Sequence, residues 1–368
     1  MKNIDNLNTE VYSIEDTTQI KNIWLNLSDK CNPSYFISWG WISTWLLNIP
    51  KSSELQFVAH SLGDQYLSCY FLGRDRKRKR IFFIKNRAYL NSTGDEYFDE
   101  LTAEYNSILI DSSYFNPDAL LDTRFILETN SNIDELHLPF MSNIDVNEDS
   151  NYFHKVNKYP SYWIDLEIIR ASKKDYINFL SKNCREKIRR STKEYSKMGA
   201  VVTEFANNEE EALKMLEELS ILHQQEWIER GKPGAFSNEF FIQFHKLLIT
   251  RRFKYNEIQL VKIRAGSYII GYLYNFIFNN QVLFYQCGFQ YEKSNHLRPG
   301  FVSHYHVILE CIDKGYNKYN FLAGDAQYKK SMSTGVDELS TIIISKKTII
   351  TKIEFFLDFI RGKFRTNE

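Results

Sequence analysis

The stretch "QVLFYQCGFQYEKSNHLRPGFVSHYHVILECIDKGY", which begins at Gln281, constrains this chain more than any other. It reads as an apolar strand, a polar turn and a helix that opens at Pro299-Gly300, with no acidic residue until Glu310. A strand that hands over to a helix lays that helix back on its own sheet, which predicts a layered α/β unit. The helix start also has chemical consequences. Its first N–H groups lack intrahelical acceptors and carry a partial positive charge. Pro299 fixes the entry without wasting an N–H, and Gly300 lets an anion approach the backbone. Arg298 adds a full charge and Ser303 offers a hydroxyl. Phosphate or pyrophosphate suits such an end, although Pro-Gly is also a plain way to begin a helix.

The neighbouring segments complete the unit. "IQLVKIRAG", "YIIGYLYNFIFNN" and "QVLFYQCGF" read as a strand meander, with turns at Gly266 and Asn279-Asn280. Before it come a strand "YWIDLE", a long helix from about Lys173 to Lys197, and a strand "AVVTEFA". The helix "NNEEEALKMLEELSILHQQEWIERG" follows, with Asn207 or Asn208 as cap, an acidic first turn and Gly231 as stop. "NEFFIQFHKLLITRRF" is another helix. After the Gly300 helix come strand "KYNFLAG", the short segment "DAQYKKSM" and strand "ELSTIIIS". "IITKIEFFLDFIRGKF" is an amphipathic helix, expected to dock on its own domain rather than on a membrane surface. The whole is a mixed sheet flanked by helices. The Gly300 helix start falls at the sheet's carboxyl edge, where α/β proteins bind ligands.

With 368 residues the chain has room for two domains. The polar stretch "SNIDVNEDSNYFHKVNKYPSY" marks a boundary near residues 145–160, which divides residues 1–155 from 156–368. In the first part "FISWGWISTWLL" places Trp41 and Trp45 on one face of a short helix, with Trp39 beside them. "LQFVAHSL" and "YLSCYFLGR" read as paired strands, and "RDRKRKR" as a solvated hairpin loop that blunts a sheet edge. "NSTGDEYFDELTAEY" is a polar turn around Gly94 with Asp95 and Glu96 in an acidic cluster. Lys plus Arg balances Asp plus Glu at 46 each, which argues against a nucleic-acid partner. The five cysteines are scattered, which fits reduced thiols and no zinc site. The opening segment is polar, unlike a signal peptide, and no apolar run reaches the ~18 residues of a membrane span. A cytoplasmic location is the expectation.

The pieces "LSKNCREKIRRSTKEYSKMG", "LHQQEWIERGKPGAF", "YQCGFQYEKSNHLRPG" and "FLAGDAQYKKSMSTG", in this order over residues 160–335, resemble the CelD-like (cellulose-biosynthesis) acetyltransferase family. The order of elements resembles the GNAT acyltransferase fold. The resemblance implies two tandem GNAT-like domains, each a mixed sheet flanked by helices, with a degenerate N-terminal copy. It implies acyl-coenzyme A as cosubstrate, its pyrophosphate held at the Gly300 helix, and no metal. The usual GNAT pattern of alternating basic and glycine residues is reduced here to Arg298, Pro299 and Gly300. The family is related to Fem-type aminoacyl-tRNA-dependent peptidyltransferases. Those relatives typically carry a long helical arm, whereas the span from Phe205 to Tyr255 holds two ordinary helices. A non-catalytic GNAT-like binding module is a third reading.

Acyl transfer from a thioester to an amine needs a proton acceptor, an oxyanion site and a proton for the thiolate. Asp325, His223 and Tyr285 are the candidates for chemistry. Each has a plainer alternative: a helix N-cap for Asp325, and core positions for His223 and Tyr285. The resemblance adds Gln286, Tyr328 and Lys329 to Arg298, Pro299, Gly300 and Ser303 on the coenzyme side. On the acceptor side stand Trp227, Trp41 and Glu96, with Arg185, Arg189 and Lys193 on one helix face that is solvated by default. The expected acceptor is a nucleotide-linked amino sugar of surface polysaccharide synthesis. The acyl group is acetyl or a hydroxyacyl such as 3-hydroxybutyryl. His304 and His306, two apart on a helix, cannot share a metal.

Overall fold

In the computed structural model, residues 7–75, 78–79, 83–111, 113, 126, 132–142, 152–292, 296–348 and 351 are described. The chain runs β1 (Asn8–Ser13), α1 (Thr17–Ser28), α2 (Trp39–Asn48), β2 (Leu55–Leu62), β3 (Gln65–Asp75), β4 (Arg78–Lys79), β5 (Phe83–Ile84), β6 (Arg87–Leu90), β7 (Leu109–Ile110) and β8 (Glu135–Ser142). It continues with β9 (Tyr152–Asp165), α3 (Leu166–Ser172), α4 (Lys182–Tyr195), β10 (Val201–Phe205), α5 (Glu209–Glu229), α6 (Glu239–Arg252), β11 (Ile258–Ala265) and β12 (Tyr268–Phe278). The last elements are β13 (Gln281–Phe289), α7 (Pro299–Asp313), β14 (Lys318–Ala323), α8 (Gln327–Met332) and β15 (Gly335–Lys346). The amphipathic helix expected after residue 348 lies almost wholly outside the described residues; of the basic run, Arg74 and Asp75 end β3 and Arg78–Lys79 form β4, which pairs with β5, while residues 76, 77 and 80 lie outside them.

Contacts group these elements into two units. The first holds Met1–Trp39, Ile49–Lys158 and the chain from Leu339, and the second holds Gly40–Asn48 and Tyr159–Glu338. A single division near residue 155 would separate α2 from the second unit. Its Trp41, 2% exposed, instead packs there against Phe244, Phe276 and Tyr285, with ring centroids 4.7, 5.7 and 6.1 Å away.

In the second unit the strand order is β9-β14-β13-β12-β11-β10. Only the β13–β14 pair is parallel. The meander turns carry the residues the sequence offers: Gly266, Asn279 and Asn280 all have positive φ. Helices α3, α4 and α7 pack on one face through Ile169, Ile188, Val302 and Ile308. Helices α5 and α6 cover the other, where Tyr272 donates to Glu218 at 2.6 Å and Phe241 stacks near Tyr285. Asn208 caps α5 by accepting from the Glu211 N–H, and Gly231 follows its end with φ of 69°.

The long helix expected from about Lys173 to Lys197 is only α4, Lys182–Tyr195, and a separate short helix, α3, ends at Ser172 before that span begins. Asp165 caps α3, and Lys173, left-handed at φ 55°, ends it. A 3₁₀ turn spans Tyr176–Phe179, and Ser181 then caps α4 by accepting from the Cys184 N–H. The Ser181 cap sets the late start of α4.

In the first unit the order is β1-β2-β3-β6-β8-β15, and β7 pairs with β3. Trp24 of α1 packs on Phe57 and Phe71. The β6–β8 pair is parallel over Arg87–Tyr89 and Glu135–His137. Beyond it Asn106 enters beside β8: its N–H donates to Phe140 O at 3.0 Å and it bridges Met141. Its side chain donates to Leu90 O at 3.1 Å and accepts from Asn91 at 2.9 Å. The gap between the two parallel strands is filled by the unit's own chain.

The start of that pair carries a buried ion cluster. Glu135 accepts from Lys85, Arg87 and Ser345 at 3.1 Å each and meets His137 at 2.8 Å. Burial raises the Glu135 carboxyl, but the contacts with His137 and Lys85 outweigh it and hold the group well below the usual carboxylate range. This stabilisation is fully present above the ordinary glutamate pKa and is lost as pH falls toward the depressed folded value. Glu135→Ala should cost about 3–5 kcal/mol, because two buried cations lose their counter-charge. Urea unfolding at pH 7 and pH 3 checks it: the deficit of the variant should shrink at pH 3.

Candidate active site

Strand β13 pairs with β14 only from Gln281–Leu283 to Lys318–Asn320. It then runs on to Phe289 without that ladder, while β14 continues to Ala323, so a slot opens between them. Tyr285 is the extra residue of a β-bulge, since Gln286 faces Tyr274 and Phe284 faces Asn275. Such a bulge leaves backbone groups outside the ladder, which suits an oxyanion site.

The β14 end is held in an unusual conformation. Leu322 has φ 59°, which costs a branched residue roughly 1–2 kcal/mol. Asn320 Oδ1 braces it, accepting from Leu322 N–H at 2.8 Å and from Ser161 Oγ at 3.2 Å. Lys329 Nζ donates to Ala323 O at 2.7 Å and Leu322 O at 3.4 Å. Lys329 therefore fixes the strand end with its ammonium. Asp325 follows, exposed, and accepts from Tyr162 OH at 3.3 Å. It is not the cap of α8, a place taken by Ala326. Burial and then the Asp325 charge raise the Tyr162 hydroxyl, which stays a donor to that carboxylate.

On the α7 side, His304 is fully buried. It stacks on Tyr328 at 5.3 Å, meets Phe284 edge-on at 4.5 Å and pairs Nδ1 with Tyr319 OH at 3.0 Å. Burial lowers it to about 3, so it is a neutral imidazole. Its Nε2 and Ser303 Oγ are buried without a hydrogen-bond partner. On the other face, α5 comes close to β13 because Gly288 has no side chain; a Cβ there would run into the Leu219 carbonyl. One turn on, His223 meets Phe236 and Trp227 at 5.0 and 5.6 Å, with Nδ1 3.1 Å from Gln224 Oε1. Burial, against the raising effect of Gln224, lowers His223 to about 4. Trp227 carries Arg230 and Lys232 over its ring at 5.9 and 5.7 Å. Tyr285 lies in the aromatic cluster of Trp41, Phe241, His245 and Phe276. Burial pushes the Cys287 thiol up to about 12, so it is no thiolate nucleophile.

The α7 start is uncapped by any side chain and has Pro299 in its first turn. A Cβ at Gly300 would touch only the Phe289 ring, at 3.4 Å. The Arg298 N–H donates to Ser191 Oγ of α4 at 2.8 Å and ties the two helices. Cys184, Ile188, Ser191 and Tyr195 form the buried stripe of α4, which turns the basic residues outward. There Arg189 and Lys193, with Lys187, Arg190, His296 and Arg298, line a cavity of about 590 Å³ completed by Asn183 and Glu186. Arg190 Nη2 donates to His296 Nε2 at 2.7 Å.

The structure thus brings Arg189 and Lys193 to Arg298. Arg185 is not among the lining residues and donates to Leu180 O at 2.8 Å. Glu96 is exposed in the first unit, on a turn closed by Asp99, which accepts from Thr93 and Gly94. The sequence reading missed Lys187, Arg190 and His296. Arg190 stands three residues before Lys193, which was named, and three after Lys187, so helical spacing held the signal; His296 had none. Among the described residues no group of His, Cys, Asp and Glu could hold a metal.

Residues 182–330, which include this cavity and the slot, match the acetyltransferase (GNAT) domain family. The second unit carries a GNAT-type acetyltransferase domain. The crystal structure of FemX is similar over 90% of this chain and 96% of its own, at 10% identity and TM-score 0.54. The C-terminal DUF2156 domain of a chain named as a lysylphosphatidylglycerol synthetase, from Agrobacterium fabrum, is similar over 90% and 92%, at 9% identity and TM-score 0.50. These likenesses concern the fold, an α/β arrangement of mixed sheet and flanking helices. No curated protein sequence matches the chain. Among the described residues no helix is long and apolar enough to cross a membrane.

Ser191→Ala should leave the Arg298 N–H without its acceptor, costing about 1–3 kcal/mol in thermal unfolding. The same variant should bind inorganic pyrophosphate more weakly by calorimetry; unchanged values for both would show that this tie does not position Arg298.

Proposed function

We propose that the second unit is an acyl-coenzyme A-dependent N-acyltransferase. The observation that carries this reading is the slot between β13 and β14 beside the uncapped start of α7. The pyrophosphate of the donor fits the Gly300 end, where Arg298 supplies charge and Ser303 Oγ lacks a partner. The pantetheine arm follows the slot edge of β13, and Gln286 and Tyr328 flank it. The thioester carbonyl lies against the Tyr285 bulge.

In the reaction Asp325 takes a proton from the incoming ammonium; the free amine nitrogen attacks the thioester carbon, the C–S bond breaks, and the second proton that the nitrogen sheds as the amide forms goes to the departing coenzyme A thiolate. His223 stays neutral near pH 7 and orients the acceptor through its ring nitrogen. No covalent enzyme intermediate is required, in keeping with the protonated Cys287 thiol.

The acceptor is a nucleotide-linked amino sugar, the class to which the CelD-like resemblance points. Trp227 suits stacking on a sugar or base, and Arg230 and Lys232 beside it suit a diphosphate. A Fem-type peptidyltransferase is the second reading, favoured by the FemX likeness in fold. Against it, α5 and α6 bury Leu216, Leu219, Phe244 and Leu248 and do not form a projecting arm.

Gly300→Glu puts bulk and negative charge at the anion site. It should reduce coenzyme A affinity at least tenfold in calorimetry with the fold retained, and unchanged affinity sinks the placement. Asp325→Asn and His223→Ala should lower turnover, followed by thiol release from acyl-coenzyme A, while coenzyme A binding stays within about twofold. Wild-type kinetics in both variants would refute these roles. A nucleotide-linked amino sugar should react faster than the free amino sugar; equal rates would refute the phosphate-bearing acceptor.

A further inference from the structure

The basic face of α4 and Arg298, the residue that precedes α7, line one cavity. Its lining holds five cations, Lys187, Arg189, Arg190, Lys193 and Arg298, against one carboxylate, Glu186. That excess of positive charge is larger than a diphosphate needs. A pyrophosphate diester carries about two negative charges at neutral pH, and a phosphomonoester adds about 1.5–2 more. Adenosine 3′-phosphate 5′-diphosphate, the nucleotide end of coenzyme A, supplies both. A nucleotide-linked sugar supplies only the first.

We infer that the α4 face is a recognition site for the 3′-phosphomonoester of the donor nucleotide, held by Arg189 and Lys193, which makes the enzyme selective for coenzyme A over its dephospho form. This rests on the acyl-coenzyme A reading above. The geometry divides the work. Arg298 is fixed at the α7 start by its N–H to Ser191 Oγ, close to the backbone amides that suit a pyrophosphate. Arg189 and Lys193 come from the neighbouring helix, one turn apart, and reach the same cavity from its other wall. A phosphate on the ribose 3′ position is separated by the ribose from the pyrophosphate, so it suits cations on a second helix rather than at the α7 start itself. The cavity volume of about 590 Å³ lies within the range usual for ligands of nucleotide size. The same assignment leaves acceptor recognition to other groups, such as those around Trp227.

The test uses the whole chain and binding rather than turnover. Calorimetry compares coenzyme A with dephospho-coenzyme A, and adenosine 3′,5′-bisphosphate with ADP. A charge-assisted contact to the 3′-phosphate should make coenzyme A bind about ten- to a hundredfold more tightly than the dephospho form. Arg189→Ala and Lys193→Ala are exposed substitutions on a helix whose buried stripe they leave untouched. Each should narrow that ratio by about tenfold while affinity for the dephospho form stays unchanged. Raising the salt concentration should narrow the wild-type ratio as well. Equal binding of the two coenzymes by the wild type overturns this inference alone. So does a ratio that survives in both variants, or an equal loss for both ligands. Absence of binding by either coenzyme overturns the acyl-coenzyme A reading and this inference with it.

Discussion

The parallel ladder between β13 and β14 stops at Leu283 and Asn320, and the residues around that stop are organised to keep it there. Continued pairing would close the only parallel pair of the second unit and leave a flat sheet. Instead Leu322 takes a left-handed conformation that an ordinary strand residue avoids. The cost is met by interactions that pin the strand end: the Asn320 side chain on the Leu322 N–H, and the Lys329 ammonium on the Leu322 and Ala323 carbonyls. The bulge at Tyr285 does the same on the opposite strand by shifting its register against β12. Two irregularities, one on each strand, therefore hold the slot open. Strain concentrated at such a place is a mark of function rather than of poor folding.

Much of this was legible in the sequence where a side chain acts locally. Asn208 as cap, Gly231 as stop, Asn279-Asn280 as hairpin turn and Pro299 as helix entry all act within a few residues of themselves, and each is found in that role. The late start of α4 was missed: the expected helix began near Lys173, whereas the Ser181 side chain, accepting from the Cys184 N–H, starts it at Lys182. The slot was not legible at all, because the register at which a parallel ladder ends depends on residues far apart in sequence, such as Asn320 and Ser161. The same limit applied to the cavity. Arg189 and Arg298 were each singled out, but their meeting depends on a hydrogen bond between Ser191 and Arg298, 107 residues apart. Trp41 shows it from another side: its helix was read with the first part of the chain, yet its contacts lie on β12, β13 and α6.

Protonation separates the roles of the polar groups near the slot. Burial holds His304, His223 and His245 neutral, at about 3, 4 and 3, and holds Cys287 as a thiol. Neutral imidazoles and a thiol in an aromatic setting make a poor place for proton transfer near pH 7, and a good place for an uncharged thioester. The exposed carboxylate of Asp325 and the cations of the α4–α7 cavity stand apart from that apolar interior. Under the proposed function such a division would put charged parts of substrates at the rim and the reacting carbonyl in a region of low dielectric, where fixed backbone dipoles act most strongly.

The first unit repeats the architectural problem and answers it differently. Its parallel pair, β6 and β8, also ends early, and Phe140 in β8 is left-handed, as Leu322 is near the end of β14. There the unpaired groups are satisfied by the chain itself. Asn106 bonds to Phe140 and Leu90, and Asn91 bonds to Asn106 and Ser107. Asn106 is fully buried, so these bonds replace what water or a ligand would otherwise supply. In the second unit no such insertion is found at the corresponding edge of β13 among the described residues. A filled gap gains stability and forfeits a binding slot, while an open gap keeps the slot and leaves buried groups such as Ser303 Oγ and His304 Nε2 without partners. The second unit bears that cost, and the slot it leaves open is where the proposed function puts the substrate.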